Sequence, residues 1–150
     1  MSEGKKMEEI IAIAHNSEDY REMIKLRHKI LYAPWGLNFT PEQLDKETND
    51  FHIVYKKSDR ILGCLVATIR SPTTVQFRQV AVDESVQRQG VGKRIVKFAE
   101  NLVFEKGFKK IEIESRETAI AFYEKLDYTR EGERFFKVGL PHFKVTKVIK

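Results

Sequence analysis

The sequence predicts a single-domain α/β (α+β) fold, a sheet with helices layered on it, and three observations carry that prediction. The chain has 150 residues, the length of one domain and enough to bury roughly 68–70% of its unfolded surface around one core. Hydrophobic residues make up 41% and charged residues 33%, near globular averages, which excludes a disordered, collagen-like or low-complexity protein. Segments of strand-like patterning alternate with segments of helical period in the order β-α-(α)-β-β-β-α-β-α-β-β, the pattern of layered α/β and α+β folds. No internal repeat, linker or second domain interrupts that order.

Residues 9–14 are an apolar run that reads as a buried strand. Asn16 or Ser17 then caps a helix over 17–31, where Tyr20, Met23, Ile24, Ile30 and Leu31 recur at helical spacing. The run Tyr32, Ala33, Pro34, Trp35, Gly36 breaks that helix. Thr40, Pro41 and Gln43 supply a cap, a proline at the first helical position and a glutamine that can bond back. A short helix over 41–46 is therefore expected inside an irregular stretch from 33 to 50, and such stretches in compact domains often serve function. Residues 51–56 read as a strand, 57–60 as a hairpin turn and 61–70 as the returning arm. After a turn at 71–73, a strand over 75–82 carries Val75, Phe77, Val80 and Val82. Its alternation slips between 77 and 80, where one extra residue would re-aim the strand as a β-bulge does. A polar loop over 83–92 precedes a strong helix, in which Val91, Ile95, Phe98 and Leu102 recur at i, i+4, i+7 and i+11 before Gly107 ends it. Residues 110–114 read as a strand and 118–126 as a helix with Ala119, Phe122, Tyr123 and Leu126 on one side. Strands over 128–138 and 143–149 complete the chain, joined through Gly139, Leu140, Pro141 and His142.

Composition removes several function classes. The longest near-apolar run, residues 61–69, has nine residues, against the about 20 a membrane helix needs, so no span is expected. Residues 1–6 lack the apolar centre of a signal peptide. Cys64 is the only cysteine, which excludes an intrachain disulfide and a Cys-based zinc site and makes a reducing cytoplasm the expected compartment. Cys64 lies in an apolar strand and reads as an inert buried thiol. His15, His28 and His52 show no ligand spacing, and neither His-x-His nor His-Glu-x-x-His occurs, so no metal is expected. The net charge of +5 suggests an anionic partner such as nucleic acid, a phosphorylated cofactor or an acidic substrate, or simply a solvated basic surface.

Gln87, Arg88, Gln89, Gly90, Val91 and Gly92 stand between a strand and that strong helix. The opening turn of any helix carries unpaired N–H groups and the positive end of its dipole, and glycine there lets backbone approach an anion closely. Lys93 and Arg94 follow at once. Cations in a first turn oppose the dipole at a cost of about 0.3 kcal/mol or more, and a bound anion reverses the sign. The segment therefore reads as a diphosphate-binding turn. Two better-known glycine loops do not fit. The P-loop needs Gly-Lys-Ser/Thr, but Arg94 follows Gly92 and Lys93, and the dinucleotide fingerprint needs a small residue where Ile95 stands.

The same six residues resemble the (Gln/Arg)-x-x-Gly-x-(Gly/Ala) pattern of the GNAT superfamily of acetyl-CoA-dependent N-acetyltransferases. The preceding strand over 77–82 resembles that family's central strand, and residues 119–128 (AIAFYEKLDY) resemble its Ala-x-x-Phe-Tyr-x-Lys-x-Gly-Phe helix ending. Gly132, Glu133, Arg134 and Phe135, then Gly139, Leu140, Pro141 and His142, are similar to a bacterial subgroup ending in Gly-Ile-Pro-His. The resemblance covers roughly 51–149; residues 1–50 fit only in layout. It implies a mixed, splayed central sheet flanked by helices, with acetyl-CoA as co-substrate between two central strands. Backbone groups of Val80 and Val82 would pair with the pantetheine arm like an added strand. The N–H groups of Arg88, Gln89, Gly90, Val91 and Gly92 would hold the diphosphate, with Arg88, Lys93 or Arg94 as candidates for the adenosine phosphate.

Acyl transfer sets the chemistry still needed: the amine must lose a proton, the oxyanion needs a donor and the leaving thiolate needs a proton. By resemblance, a backbone N–H near Val80 or Ala81 is the oxyanion donor, and Tyr123 matches the tyrosine that protonates the thiolate, a phenol of pKa about 10 suiting a thiol of similar acidity. Position alone would make Tyr123 a core residue. Glu114 at a strand end is one candidate base, Glu112 a poorer one, and His142 another, since imidazole titrates in the useful range; a water chain is the remaining option. Asp127 stands where the family has glycine, and a left-handed conformation there tolerates Asp. Glu114-Ser115-Arg116 replaces a frequent Asn-Ala-Arg, keeping only the arginine. Trp35, Phe39, His52 and Arg78 are candidates for acceptor choice. The expected reaction moves an acetyl group to an amine of a small molecule or peptide by direct attack, with no membrane partner and a homodimer left open. The competing readings are a non-catalytic acyl-CoA-binding sensor and a basic nucleic-acid-binding module, the latter disfavoured because it lacks helix-turn-helix spacing, a zinc finger and an exposed aromatic strand code.

Overall fold

The structure, a computed structural model, describes residues 7–150; residues 1–6, on which the signal-peptide reading rests, lie outside the described residues. The chain divides into two units, each discontinuous in sequence. One contains the described residues up to Thr68 together with Gln79–Ala99, the other Ile69–Arg78 together with Glu100–Lys150. Seven strands hydrogen-bond in the order β1-β2-β3-β4-β5-β7-β6. Of these, β4 and β5 run parallel, while β1–β2, β2–β3, β5–β7 and β6–β7 are antiparallel, so the sheet is mixed, as the sequence predicts.

The first unit begins with β1 (Glu8–Ile13), which pairs with β2 (Phe51–Lys57) from Glu8↔Lys57 to Ile13↔His52. The apolar run suggests a buried strand, but β1 is an edge strand and none of its residues is buried. Ser17 caps α1 (Glu18–Arg27) by accepting from the Tyr20 N–H at 3.1 Å. The α-helix stops at Arg27, short of the expected 31. The helical path continues as a π-helix (His28–Tyr32) and a 3₁₀ turn (Ala33–Trp35) that Gly36 closes at φ 69°. The capping box expected at Thr40 is complete: Thr40 and Gln43 each bond the other's backbone N–H at the start of α2 (Pro41–Asp45). Ser58 and Asp59 make the hairpin between β2 and β3 (Arg60–Ile69), both at positive φ, the geometry of a type I′ turn.

Tyr20, Met23, Leu26, Val54, Cys64, Val66 and Ala81 form a buried cluster of this unit. β4 (Thr74–Val82) contains Gln79 at φ 55°, so the slip in alternation marks a real change of backbone direction. α3 (Val91–Glu105) begins in this unit. Its first residues press on β3 at Gly63, where a Cβ would lie 2.6 Å from Ile95 Cδ1 and 3.3 Å from Val91 Cγ1. Glycine thus lets the start of α3 approach the strand without displacing the tip of Ile95.

In the second unit α3 ends in a Schellman motif: Gly107, at φ 98°, donates to the Phe104 carbonyl at 3.0 Å and Phe108 to that of Val103 at 3.1 Å. β5 (Lys110–Arg116) is followed by a 3₁₀ turn (Glu117–Ala119) and α4 (Ile120–Glu124). The 3₁₀ start shifts the phase of this helix, so Ile120, Tyr123 and Leu126 are buried and Phe122 is exposed, which corrects the expected placement of Phe122 on the inner side. A second Schellman motif ends α4. Asp127 at φ 74° donates to the Glu124 carbonyl and Tyr128 to that of Tyr123, both at 3.1 Å. β6 (Thr129–Lys137) and β7 (Leu140–Val148) meet at a two-residue turn, Val138 and Gly139, both at positive φ. The expected connection through residue 142 is therefore too long: Leu140, Pro141 and His142 already belong to β7. Pro141 deceives the sequence reading because it pairs only with Phe136 of β6, one step beyond the β5 ladder that starts at Arg116↔His142, where a missing N–H costs no bond.

Candidate functional site

In the first unit, β4 leads to a loop whose backbone alternates hand. Asp83 opens it, its N–H donating to the Leu62 carbonyl at 2.8 Å and its carboxylate accepting from the Ser85 N–H and Oγ. Lys29 Nζ bonds the same carboxylate at 2.7 Å, and these contacts, Lys29 first, hold the Asp83 carboxyl down at about 2. Arg88 and Gly90 take φ values of 65° and 75°. The first bond within α3 is Arg94 N–H to Gly90 C=O at 3.0 Å, so the N–H groups of Val91, Gly92 and Lys93 precede the helical ladder and lack partners within it. Left-handed residues just ahead of such donors are the backbone pattern of anion-binding concavities.

The side chains divide more sharply. Arg88, Gln89 and Lys93 are exposed. Arg94 instead bonds Glu8 at 3.3 Å and lies 5.5 Å from the Tyr55 ring centroid. Gln87 Nε2 donates to the Val82 carbonyl at 2.9 Å, capping one of the strand groups proposed to pair with pantetheine. Ala81 is buried, and Val80 and Val82 are half-buried. Cys64 is fully buried and burial pushes its thiol up to about 12, which makes it inert.

This unit also contains a polar cluster that no sequence motif signals. Arg27 is 0% exposed and makes a bidentate pair with Glu47, Nη1 to Oε1 at 2.8 Å and Nη2 to Oε2 at 2.7 Å. Tyr20 donates to Glu47 Oε1 at 2.8 Å, and the guanidinium stacks 4.7 Å from the Phe39 ring centroid. Arg27 Nε donates to Gln79 Oε1 at 3.2 Å, and Gln79 Nε2 to Tyr32 Oη at 3.3 Å. His52 Nε2 meets the Glu47 carbonyl at 3.0 Å, while its Nδ1 is buried with no hydrogen-bond partner among the described residues. Burial holds the His52 imidazole below its usual range. Phe39 and His52 thus serve this cluster, and Trp35 is exposed.

In the second unit, Tyr123 is buried on α4, its ring 5.0 Å from Phe122 and 5.8 Å from Tyr128. Burial alone pushes its phenol up, with no hydrogen bond or charge contributing. The ladder pairs Glu114↔Lys144 and Arg116↔His142 put Glu114 and His142 on one face of β5–β7. Glu114 bonds Lys137 Nζ at 2.8 Å, and that ammonium, with smaller help from His142, holds its carboxyl below the usual range. His142 is buried, its Nδ1 2.9 Å from the Leu140 carbonyl. A carbonyl only accepts, so Nδ1 donates to it, and in the neutral ring the lone pair is on Nε2. Glu112 is bound by Lys144 at 3.3 Å.

No group of three or more His, Cys, Asp or Glu placed to hold a metal occurs among the described residues, and no described helix is long and apolar enough to cross a membrane. Residues 17–128 match the model of the Acetyltransferase (GNAT) family. The chain belongs to that family. The GNAT match reaches back to residue 17, into the α1–α2 segment whose residues fit the family only in layout. The protein YyaT of Bacillus subtilis (strain 168) is 26% identical over 142 residues, 87% of this chain and 90% of YyaT. Among solved structures, an aminoglycoside 6'-N-acetyltransferase complexed with coenzyme A aligns at a TM-score of 0.78 and 17% identity, covering 93% of this chain and 96% of that one. A GNAT family acetyltransferase from Elizabethkingia anophelis with acetyl-CoA bound aligns at 0.74 and 18%, covering 95% and 98%. These similarities show a shared GNAT fold.

Proposed function

We propose that this GNAT protein is an N-acetyltransferase that moves an acetyl group from acetyl-CoA to an amine of a small molecule or peptide by direct attack. The observation that carries the reading is the turn before α3, where left-handed Arg88 and Gly90 lead into N–H groups not used by the helix. Arg88, Gln89, Gly90, Val91 and Gly92 hold the diphosphate through backbone N–H groups, and exposed Arg88 and Lys93 add positive charge. Val80 and Val82 pair with the pantetheine arm, the Val82 carbonyl exchanging its Gln87 partner, and an N–H at Val80 or Ala81 meets the oxyanion.

The amine nitrogen attacks the thioester carbonyl carbon, and collapse of the tetrahedral adduct breaks the C–S bond. His142 Nε2, which carries the lone pair in the neutral ring because Nδ1 donates to Leu140, takes the amine proton. Glu114 is the weaker base because Lys137 stabilises its carboxylate and so lowers its affinity for a proton. Burial keeps Tyr123 protonated at neutral pH, so its proton is present for the leaving thiolate, although the same burial makes the phenol a weaker acid than the ordinary tyrosine the resemblance implies. CoA at about 100 times its Kd should add roughly 2.7 kcal/mol of stability, read as a rise in Tm. Gly92→Glu, which puts a carboxylate into the diphosphate turn, should abolish that rise. Absence of any rise in the wild-type protein, or no acetylated product from acetyl-CoA and a broad amine panel, overturns the reading.

A further inference from the structure

Gln79 is a non-glycine residue at φ 55° inside a strand. That conformation is unfavourable for a side-chain-bearing residue and persists only where its surroundings over-determine it. Three contacts do so here, each from a different element. Arg27 Nε fixes Oε1, Tyr32 Oη fixes Nε2, and the Cys64 thiol donates to the backbone carbonyl at 3.4 Å. Tyr32 is in turn stacked on Phe39 at 3.9 Å, and Arg27 is locked by its bidentate bond to Glu47 and by Phe39.

A buried ion pair is a weak source of stability, since desolvating both charges cancels most of their attraction, whereas it can impose one conformation. Glu47 leaves no slack: Tyr20 and the two terminal guanidinium nitrogens of Arg27 hold its carboxylate. Outside that pair, the guanidinium Nε–H goes to Gln79. The residue immediately after Gln79 begins the segment assigned above to pantetheine. We infer that Arg27, Glu47 and Gln79 are positioning residues: the buried pair acts through the Gln79 side chain to fix the backbone of Val80–Val82 in the direction that receives the pantetheine arm of acetyl-CoA.

This inference rests on the acetyl-CoA reading, and two ligands separate them. Acetyl-CoA engages both the turn and the strand; 3′-phosphoadenosine 5′-diphosphate carries the diphosphate and lacks pantetheine. Gln79→Gly accepts the left-handed backbone and removes both side-chain bonds. The double variant Arg27→Met, Glu47→Leu removes the charges together and cuts the tether to Gln79 while filling the space. Calorimetric titration of each should show acetyl-CoA binding weakened on the order of 10-fold, the equivalent of one or two main-chain hydrogen bonds. Binding of 3′-phosphoadenosine 5′-diphosphate should stay near wild type, whatever fall in Tm follows from leaving the Tyr20 hydroxyl without Glu47 in the double variant. Amide hydrogen exchange at Ala81 and Val82 should quicken in both variants. If the double variant does not fold, Gln79→Gly alone decides. Wild-type-like acetyl-CoA binding in a folded variant overturns the tether and leaves the cofactor reading standing. Equal weakening of both ligands overturns it too, as a general loss of structure. Failure of the wild-type protein to bind acetyl-CoA overturns both.

Discussion

Tyr123 concentrates the chemical claim in one atom. Its ring is packed against Phe122 and Tyr128, and burial alone raises its phenol, so phenylalanine can keep the packing and lose only the proton. Tyr123→Phe should therefore lower kcat by about 10²–10⁴-fold, the usual weight of a positioned acid, while the Kd for acetyl-CoA stays unchanged. Single-turnover transfer from acetyl-CoA to an accepted amine checks this, and unchanged single-turnover rate removes Tyr123 as the acid. Its candidacy as the acid comes from its motif. Its buried state was legible through helical spacing, although the 3₁₀ start moved Phe122 outward. The Arg27–Glu47 pair was not legible, because twenty residues and the turn of the chain through α2 separate its partners and a lone Arg on a helix usually points to solvent.

At the scale of elements, local chemistry and its reading agree best where one short segment decides the outcome. The Thr40–Gln43 box, the spacing along α3 and the glycine that ends it are all self-contained signals. The slip in β4 was visible because period-2 patterning has no tolerance for an added residue. The π-helix after α1 was not, since a single turn of i→i+5 bonding leaves no periodic trace. The edge position of β1 was also hidden: an apolar run does not say whether a strand has one neighbour or two. The end of α4 offers a test. Asp127 holds φ 74° in a Schellman motif, a role glycine fills without Cβ strain. Asp127→Gly should raise stability by up to about 1 kcal/mol, the strain relieved exceeding the added freedom of the unfolded chain. Urea unfolding measures it, and a lower midpoint would contradict the strain argument.

Across the whole molecule, acidity is the lever that folding sets. The carboxyls of Glu8, Asp83, Glu114 and Glu131 all lie below their ordinary range, held there by Tyr55, Lys29, Lys137 and Thr146 respectively. A depressed native carboxyl contributes stability that is full above its unfolded value and is lost as pH falls through its folded value. Asp83, moved from 3.8 to about 2, should contribute on the order of 1–2 kcal/mol after allowing for solvent around exposed Lys29. Urea midpoints should hold above about pH 5 and fall between roughly pH 4 and 2. Asp83→Asn should lose stability at pH 7 and show a shallower fall; an unchanged profile would mean the Lys29 contact does not form in solution.

Cys64 carries a practical consequence. It is the chain's single sulfur nucleophile, it is wholly enclosed, and it stays protonated far above neutrality. A chromogenic disulfide added to the native protein will therefore colour only with coenzyme liberated during turnover. The polypeptide contributes no background until it unfolds, when one equivalent per chain marks the loss of structure.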